Sequence, residues 1–263
     1  MNFKKKVVLI SGATGGMGEE IVKLLAKEKC KFALFARREE NLKKIFDELK
    51  EKNVECIFKK CDVTKIKDIK DAVELTHKTY GRIDVAILTA GILVPTPIET
   101  FDTDLIKKTM DINFMGNVYF IEHLLNVMRK QKKGMIAVTS TLPDKRGVPG
   151  WCAYGSSKAA ISWLIESLRV EANQKYNVKM ITIKPGSVVT PMIKNYERKG
   201  AVSAEKAAGI IIKGLEKEKK VIQFPFSQVF SIRTTDLFPS FAYDLQPVEL
   251  MKGEDYPDVE EKE

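Results

Sequence analysis

The chain is poor in the residues that bind metals or form disulfides. Its 263 residues include only two histidines, His77 and His123, and four cysteines without a C-x-x-C pair. A structural metal site needs a cluster of such ligands, and a disulfide framework needs patterned cysteines. We therefore expect no metal site, and reduced thiols that lie in the core.

Long apolar runs, linkers and repeats are also missing. The basic start MNFKKKVVLISG has an apolar run of only four residues, too short for a signal peptide, and no run approaches a membrane span. No segment rich in Gly, Pro or Ser divides the chain. We therefore expect a cytoplasmic protein without membrane association, folded as one domain over residues 1–251.

Positive charge is in excess, but it is not gathered into one block. The net charge is +9, while residues 252–263 hold six acidic and two basic residues. Lysines fall where helices show a solvent face, as in KEKNVECIFKK, rather than in a basic patch interleaved with aromatic residues. We expect no nucleic-acid binding, and a disordered acidic tail at 252–263.

Short apolar runs alternate with long amphipathic stretches. The runs VVLI, FALFA, ECIFK, VAILTA and IAVTS are separated by helical patterns such as ENLKKIFDELKEK, and the rhythm continues through KMITIKPG. Strands that alternate with helices predict an α/β fold, a doubly wound parallel sheet with helices on both faces. Residues 224–250 are aromatic and interrupted by proline, and they give no clear prediction.

A glycine-rich turn follows the first predicted strand. The segment VVLISGATGGMGEEI places Gly12, Gly16 and Gly18 between that strand and the first helix. A backbone that turns tightly and approaches a pyrophosphate has no room for Cβ atoms, and a helix N-terminus offers N–H groups to an anion. This pattern predicts a dinucleotide site.

The end of the second predicted strand indicates which dinucleotide is bound. A carboxylate there would accept hydrogen bonds from the ribose of NAD, but this chain has Ala36, followed by Arg37 and Arg38. Cationic donors at this point suit the 2′-phosphate of NADP. We therefore expect NADP(H) to be preferred over NAD(H).

Tyr154 and Lys158 stand four residues apart in YGSSK, a spacing that puts both on one helix face. A phenol has a pKa near 10, and an adjacent ammonium lowers it. A phenol with a pKa near the working pH can act as general acid for carbonyl reduction and as base for the reverse reaction.

The spacing G-x-x-x-G-x-G followed by Y-x-x-x-K resembles the classical short-chain dehydrogenase/reductase family, over about Lys5 to Met192. The resemblance implies a Rossmann-type fold with a seven-stranded parallel sheet, a homodimer or homotetramer, and hydride transfer between NADPH and a carbonyl or alcohol substrate. It also implies a short lid near 191–203 over a moderately hydrophobic substrate. The alternative is a catalytically idle NADP-binding sensor or scaffold on the same fold.

The resemblance further implies which residues contact the cofactor. Arg37 matches the position that marks NADP users, whereas Thr14 or Gly15 replaces a basic residue of the glycine loop. Thr89 stands where the family usually has Asn, and Asn113 matches a catalytic Asn that holds a water in a proton relay to Lys158. The adenine contacts are Asp62 and Val63, and the turn Pro185, Gly186, Val188 and Thr190 clasps the carboxamide. The remaining expected contacts are Met17, Ala90, Gly91, Tyr154 and Lys158.

The catalytic hydroxyl is open between two neighbours. The family places a Ser thirteen residues before the Tyr, and counting back from Tyr154 gives Thr141, with Pro149-Gly150 fixing the register. Ser140 would serve instead if the loop LPDKRGV shifts the chain by one residue. The count favours Thr141.

Overall fold

The computed structural model describes residues 1–190 and 200–245, and it is built on a seven-stranded sheet. The strands are β1 (Val7–Ser11), β2 (Lys31–Ala36), β3 (Cys56–Lys60), β4 (Val85–Leu88), β5 (Gly134–Thr139), β6 (Val178–Pro185), β7 (Val188–Val189), β8 (Val202–Ser203) and β9 (Val221–Phe224). Seven of them form the sheet in the order β3-β2-β1-β4-β5-β6-β9, and every neighbouring pair is parallel. Strands β7 and β8 pair with each other in a separate two-stranded sheet. The predicted Rossmann-type α/β fold with seven strands is confirmed.

Helices cover both faces of this sheet. They are α1 (Gly16–Ala26), α2 (Glu39–Glu51), α3 (Ile66–Tyr80), α4 (Thr103–Met110), α5 (Gly116–Gln131), α6 (Cys152–Tyr176), α7 (Ala204–Glu216), α8 (Phe226–Thr235) and α9 (Ser240–Tyr243). Alternate side chains of β1 separate the two cores: Val8 and Ile10 pack with α1, α2 and α7, whereas Leu9 packs with α3, α5 and α6. A strand buried on both faces explains the continuous apolar runs of the sequence.

The strand order reverses direction at β1, which lies between β2 and β4. In open parallel sheets, ligands bind beyond the carboxyl ends of the strands at such a reversal. The loops after β1, β2, β4, β5 and β6 therefore lie where a site is expected.

The predicted single domain over 1–251 stays a prediction. Residues 191–199 of the expected lid and the expected acidic tail at 252–263 lie outside the described residues. The described end of the lid segment includes β8, whose Val202 pairs with Val188 of β7.

The segment after β9 folds into α8 and α9, which the sequence did not predict. Phe224 is buried, but Phe226, Phe230 and Phe241 are exposed, so packing against the core does not account for these aromatic residues. Within residues 1–190 and 200–245, no helix has the length and apolar character needed to cross a membrane.

All four cysteines are free thiols. Cys30 and Cys61 are buried, and burial raises the pKa of both thiols to about 12. Cys152 is exposed in the first turn of α6, so the expectation of a core thiol is wrong at this position.

Candidate active site

The glycine turn packs too closely for side chains. Gly12 has a φ of +71°, and a Cβ there would lie 2.7 Å from the backbone nitrogen of Ala90. A Cβ at Gly18 would lie 2.3 Å from the carbonyl oxygen of Gly12. No side chain caps α1 at Gly15, so the N–H groups of its first turn are available to an anion.

Thr89 joins the ends of two neighbouring strands. Its hydroxyl donates a hydrogen bond of 2.8 Å to the carbonyl of Ser11. This contact ties the end of β4 to the end of β1, beside the glycine turn. A threonine can therefore make a strand-bridging hydrogen bond at a position where the family usually has Asn.

The two arginines after β2 have different surroundings. Arg38 reaches back to the glycine turn and donates a 2.7 Å hydrogen bond to the carbonyl of Thr14. Arg37 is exposed at the end of β2, close enough to Asp62 to interact electrostatically. Arg38 therefore brings a cation from the end of β2 to the glycine turn, a contact that the sequence did not suggest.

Asp62 and Val63 follow β3 at the same edge of the sheet. The Asp62 carboxylate accepts hydrogen bonds from the N–H and the hydroxyl of Thr64, at 3.0 and 2.8 Å. Burial raises the pKa of Asp62, but these bonds and the charges of Arg37 and Lys65 outweigh it, and the pKa lies below its ordinary value. Val63 is buried against Gly116.

The ammonium group of Lys158 is buried beside the end of β5. The side chain is 4% exposed, and Nζ donates a 2.9 Å hydrogen bond to the carbonyl of Thr139. Burial lowers the pKa of Lys158 from 10.5 to about 8. Nζ lies 5.8 Å from the centre of the Tyr154 ring, which brings the predicted pair together on α6.

Asn113 lies in a π-helical turn, Asp111–Met115, between α4 and α5. Its Oδ1 accepts from the N–H of Ile92 at 2.8 Å, and its Nδ2 donates to the carbonyl of Ile92 at 2.9 Å and to the hydroxyl of Ser157 at 3.1 Å. This buried amide therefore connects the loop after β4 to α6. Single π-helical turns are frequent at functional sites.

The two candidate hydroxyls have different contacts. The Ser140 hydroxyl donates a 2.8 Å hydrogen bond to the carbonyl of Lys158 and lies 2.7 Å from the hydroxyl of Ser162. Both of these contacts are with residues of α6. Among the described residues, the Thr141 hydroxyl has no hydrogen-bond partner, and Thr141 lines the cavity that contains Tyr154.

One cavity is lined by four of the five predicted catalytic residues and by nine of the twenty predicted cofactor contacts. It lies beyond the carboxyl ends of β4, β5 and β6. The predicted residues that line it are Met17, Thr89, Gly91, Ser140, Thr141, Tyr154, Lys158, Pro185, Gly186, Val188 and Thr190. Asn113 lies behind this wall, Ala90 follows β4 beside Gly12, and the other predicted contacts follow β1, β2 and β3. The remaining wall is largely apolar, with Leu93, Val148, Trp151 and Ile232.

Sequence reasoning missed two residues that line this cavity, Thr139 and Gln228, and Asp144, which follows the lining residue Pro143. Asp144 is buried and forms ion pairs with Lys184 and Arg233. The buried hydroxyl of Thr139 has no hydrogen-bond partner among the described residues. Gln228 enters the cavity from α8. Of these, only Asp144 stands in a segment that the sequence marked, the loop LPDKRGV. Gln228 is recognised only by its contacts with distant segments, and Thr139 only by its unpaired buried hydroxyl.

The described residues contain no group of three or more His, Cys, Asp or Glu side chains that could hold a metal. The side chains at the site offer acid–base chemistry and anion binding, carried by Tyr154, Lys158, the hydroxyls and the two arginines.

Comparison with known proteins assigns the chain to a family. A family model described as short chain dehydrogenase matches residues 6–201. An uncharacterized oxidoreductase of Listeria monocytogenes is 37% identical over 215 residues, which cover 80% of this chain and 87% of that protein.

Solved structures have the same fold. A short chain dehydrogenase/reductase from Burkholderia phymatum in complex with NAD has a TM-score of 0.84 at 18% identity, over 96% of this chain and 99% of its own. An alcohol dehydrogenase from the archaeon Thermococcus sibiricus, complexed with 5-hydroxy-NADP, has a TM-score of 0.74 at 26% identity, over 83% and 94%. The chain therefore belongs to the short chain dehydrogenase family, and it is a dehydrogenase or reductase that interconverts CH–OH and C=O groups.

Proposed function

We propose that the protein reduces a moderately hydrophobic carbonyl compound with NADPH. The observation that carries this proposal is the single cavity in which Tyr154, Lys158 and Thr141 meet the Pro185–Thr190 turn. Such convergence of an acid/base pair, a hydroxyl and a cofactor-binding turn is what a carbonyl reductase needs.

The residues present fit a nicotinamide dinucleotide. The uncapped first turn of α1 suits a pyrophosphate, and the close contacts of Gly12 and Gly18 let the backbone approach it. Arg37 is exposed at the end of β2, the position where the resemblance expects the 2′-phosphate, and Arg38 supplies a second cation at Thr14. Two guanidinium groups beside one phosphate favour NADPH over NADH.

Each catalytic group then has one role. When bound, the nicotinamide supplies the hydride that the carbonyl carbon receives. Tyr154 donates its phenolic proton to the carbonyl oxygen, and the Thr141 hydroxyl donates a hydrogen bond to the same oxygen. The ammonium of Lys158 stabilises the phenolate that is left. Asn113 holds the loop after β4 against α6 and, in the relay implied by the resemblance, a water on the path to Lys158.

The substrate end of the cavity suits an apolar molecule. Leu93, Val148, Trp151 and Ile232 contribute side chains without charge to its wall. A substrate with a charged group next to its carbonyl would lose solvation there without a counter-charge. An uncharged ketone or aldehyde with a bulky apolar body is therefore the expected class.

An NADPH-oxidation screen over ketones, aldehydes and thioesters tests the proposal. The wild type should turn over at least one apolar carbonyl compound, and Tyr154→Phe should lose at least about 100-fold in kcat. Tyr176→Phe, which removes a hydroxyl from the far end of the same helix, is the matched control and should keep full activity. NADPH binding without turnover of any carbonyl would favour the idle sensor, and an active Tyr154→Phe would refute the mechanism.

Assembly and location belong to this proposal as well. A homodimer or homotetramer stays a prediction from the resemblance, and a cytoplasmic location stays a prediction from the short apolar runs of the sequence. Sedimentation at several concentrations tests the first, and fractionation of cell extracts tests the second.

A further inference from the structure

Helix α8 brings a glutamine to the turn that follows β6. Gln228 and Ile232 stand one helical turn apart, and both line the cavity. The Gln228 Oε1 accepts a 2.8 Å hydrogen bond from the N–H of Ser187, and its Nε2 donates a 3.1 Å hydrogen bond to the carbonyl of Gly200. One side-chain amide thus holds the chain on both sides of residues 191–199.

We propose that Gln228 is a positioning residue for the nicotinamide end of the cofactor. It fixes the backbone of the Pro185–Val188 turn, and that turn fixes the ring. The inference rests on the proposed function, because it takes this turn as the nicotinamide-binding element.

The packing of the turn depends on the glutamine. A Cβ at Gly186 would lie 2.2 Å from the Gln228 Oε1, so the glycine is what lets the amide reach the N–H of Ser187. Backbone partners hold the rest of the turn: Leu142 N–H donates to the carbonyl of Pro185 at 2.9 Å, and Gly186 N–H donates to the carbonyl of Phe224 at 2.7 Å. Among the described residues, the N–H of Ser187 is held by a side chain instead.

The helix that carries Gln228 is itself anchored close to the turn. Arg233 of α8 pairs with Asp144 at 3.3 Å, and Asp144 also pairs with Lys184, the residue before Pro185. Arg233 forms a second ion pair of 2.7 Å with Asp236. Because the Asp144 side chain is 2% exposed, these ion pairs are poorly screened by solvent and hold α8 in a defined position relative to β6.

A purely structural role for Gln228 makes a different prediction. If Gln228 only stabilised the fold, its replacement would weaken the binding of both ends of the cofactor equally, or of neither. If Gln228 positions the nicotinamide end, its replacement weakens the binding of NADPH but not of a ligand that has only the adenosine end. The reason is that the glycine turn and Arg37 follow other strands, β1 and β2.

The experiment compares two ligands on three variants by titration. The probes are NADPH, followed by its fluorescence, and adenosine 2′,5′-bisphosphate, which lacks the nicotinamide. Gln228→Met removes both hydrogen bonds and should raise the Kd of NADPH about tenfold, while the Kd of the bisphosphate stays within twofold. Gln228→Glu keeps the acceptor for Ser187 but repels the carbonyl of Gly200, and it should give a smaller rise. Gln174→Met, an exposed glutamine near the end of α6, is the matched control and should change neither value.

Equal losses for both ligands, or no loss for NADPH, would overturn the inference. If Gln228→Met fails to fold, the Kd values of the two ligands are compared on Gln228→Glu instead, and the same two outcomes overturn the inference. A wild type that binds neither ligand refutes the proposed function instead, so the two failures are distinguishable.

Discussion

Replacing Lys158 with methionine should stabilise the protein in a pH-dependent manner. The ammonium is buried, with one hydrogen bond to the carbonyl of Thr139, and burial lowers its pKa from 10.5 to about 8. Each pKa unit corresponds to about 1.4 kcal/mol, so holding this charge costs the folded state about 3 kcal/mol at pH 7. Methionine fills the same space without the charge.

The sign of the pH dependence follows from the lowered pKa. As the pH rises above 8, the folded protein releases the Lys158 proton while the unfolded chain still binds it, so the wild type gains stability. The advantage of Lys158→Met should therefore shrink by about 2 kcal/mol between pH 7 and about pH 9.5. Urea unfolding at both pH values measures it, and the lost hydrogen bond of Thr139 enters both measurements equally.

The comparison is cleanest in a Tyr154→Phe background, because the neighbouring phenol then cannot titrate. Lys78→Met, at an exposed position of α3, is the control and should give the same stability difference at both pH values. A Lys158→Met advantage that does not change with pH would refute the argument that burial of the charge destabilises this site.

Other contacts lead to further expected outcomes. Thr141→Val should lower kcat/KM roughly 100-fold with little loss of stability. Ser140→Ala should lower the free energy of unfolding, measured in urea, by about 1–3 kcal/mol, because buried partners on α6 are left unpaired. The reverse pattern would make Ser140 the catalytic hydroxyl. Arg37→Ala should weaken NADPH binding about tenfold and leave NADH binding within twofold in fluorescence titrations, and equal losses would contradict a role at the 2′-phosphate. Asp144→Asn leaves Lys184 and Arg233 without their buried counter-charge and should cost about 3 kcal/mol in thermal unfolding, so an unchanged Tm would contradict that ion-pair network.

Local patterns were sufficient for most of the fold. The strands from VVLI to KMITIKPG and the helix ENLKKIFDELKEK appear in the structure where their periodicity predicted them, because a sheet covered on both faces requires continuous apolar strands. The segment after Phe224 gave no prediction. Its α8 has exposed Phe226 and Phe230, so it lacks the single apolar face by which a helix is recognised in a sequence.

The candidate site also has one part that local patterns predict and another that they do not. The sequence by itself determined the glycine turn, the pair Tyr154 and Lys158, and the absence of an acid at Ala36, because each depends on residue type at a short spacing. Only the tertiary structure decided that Ser140 faces α6, that Arg38 reaches Thr14, and that Gln228 holds Ser187. These contacts join residues between 18 and 41 positions apart, and the direction of a side chain toward such a partner is set by how strands and helices pack, which no local pattern records.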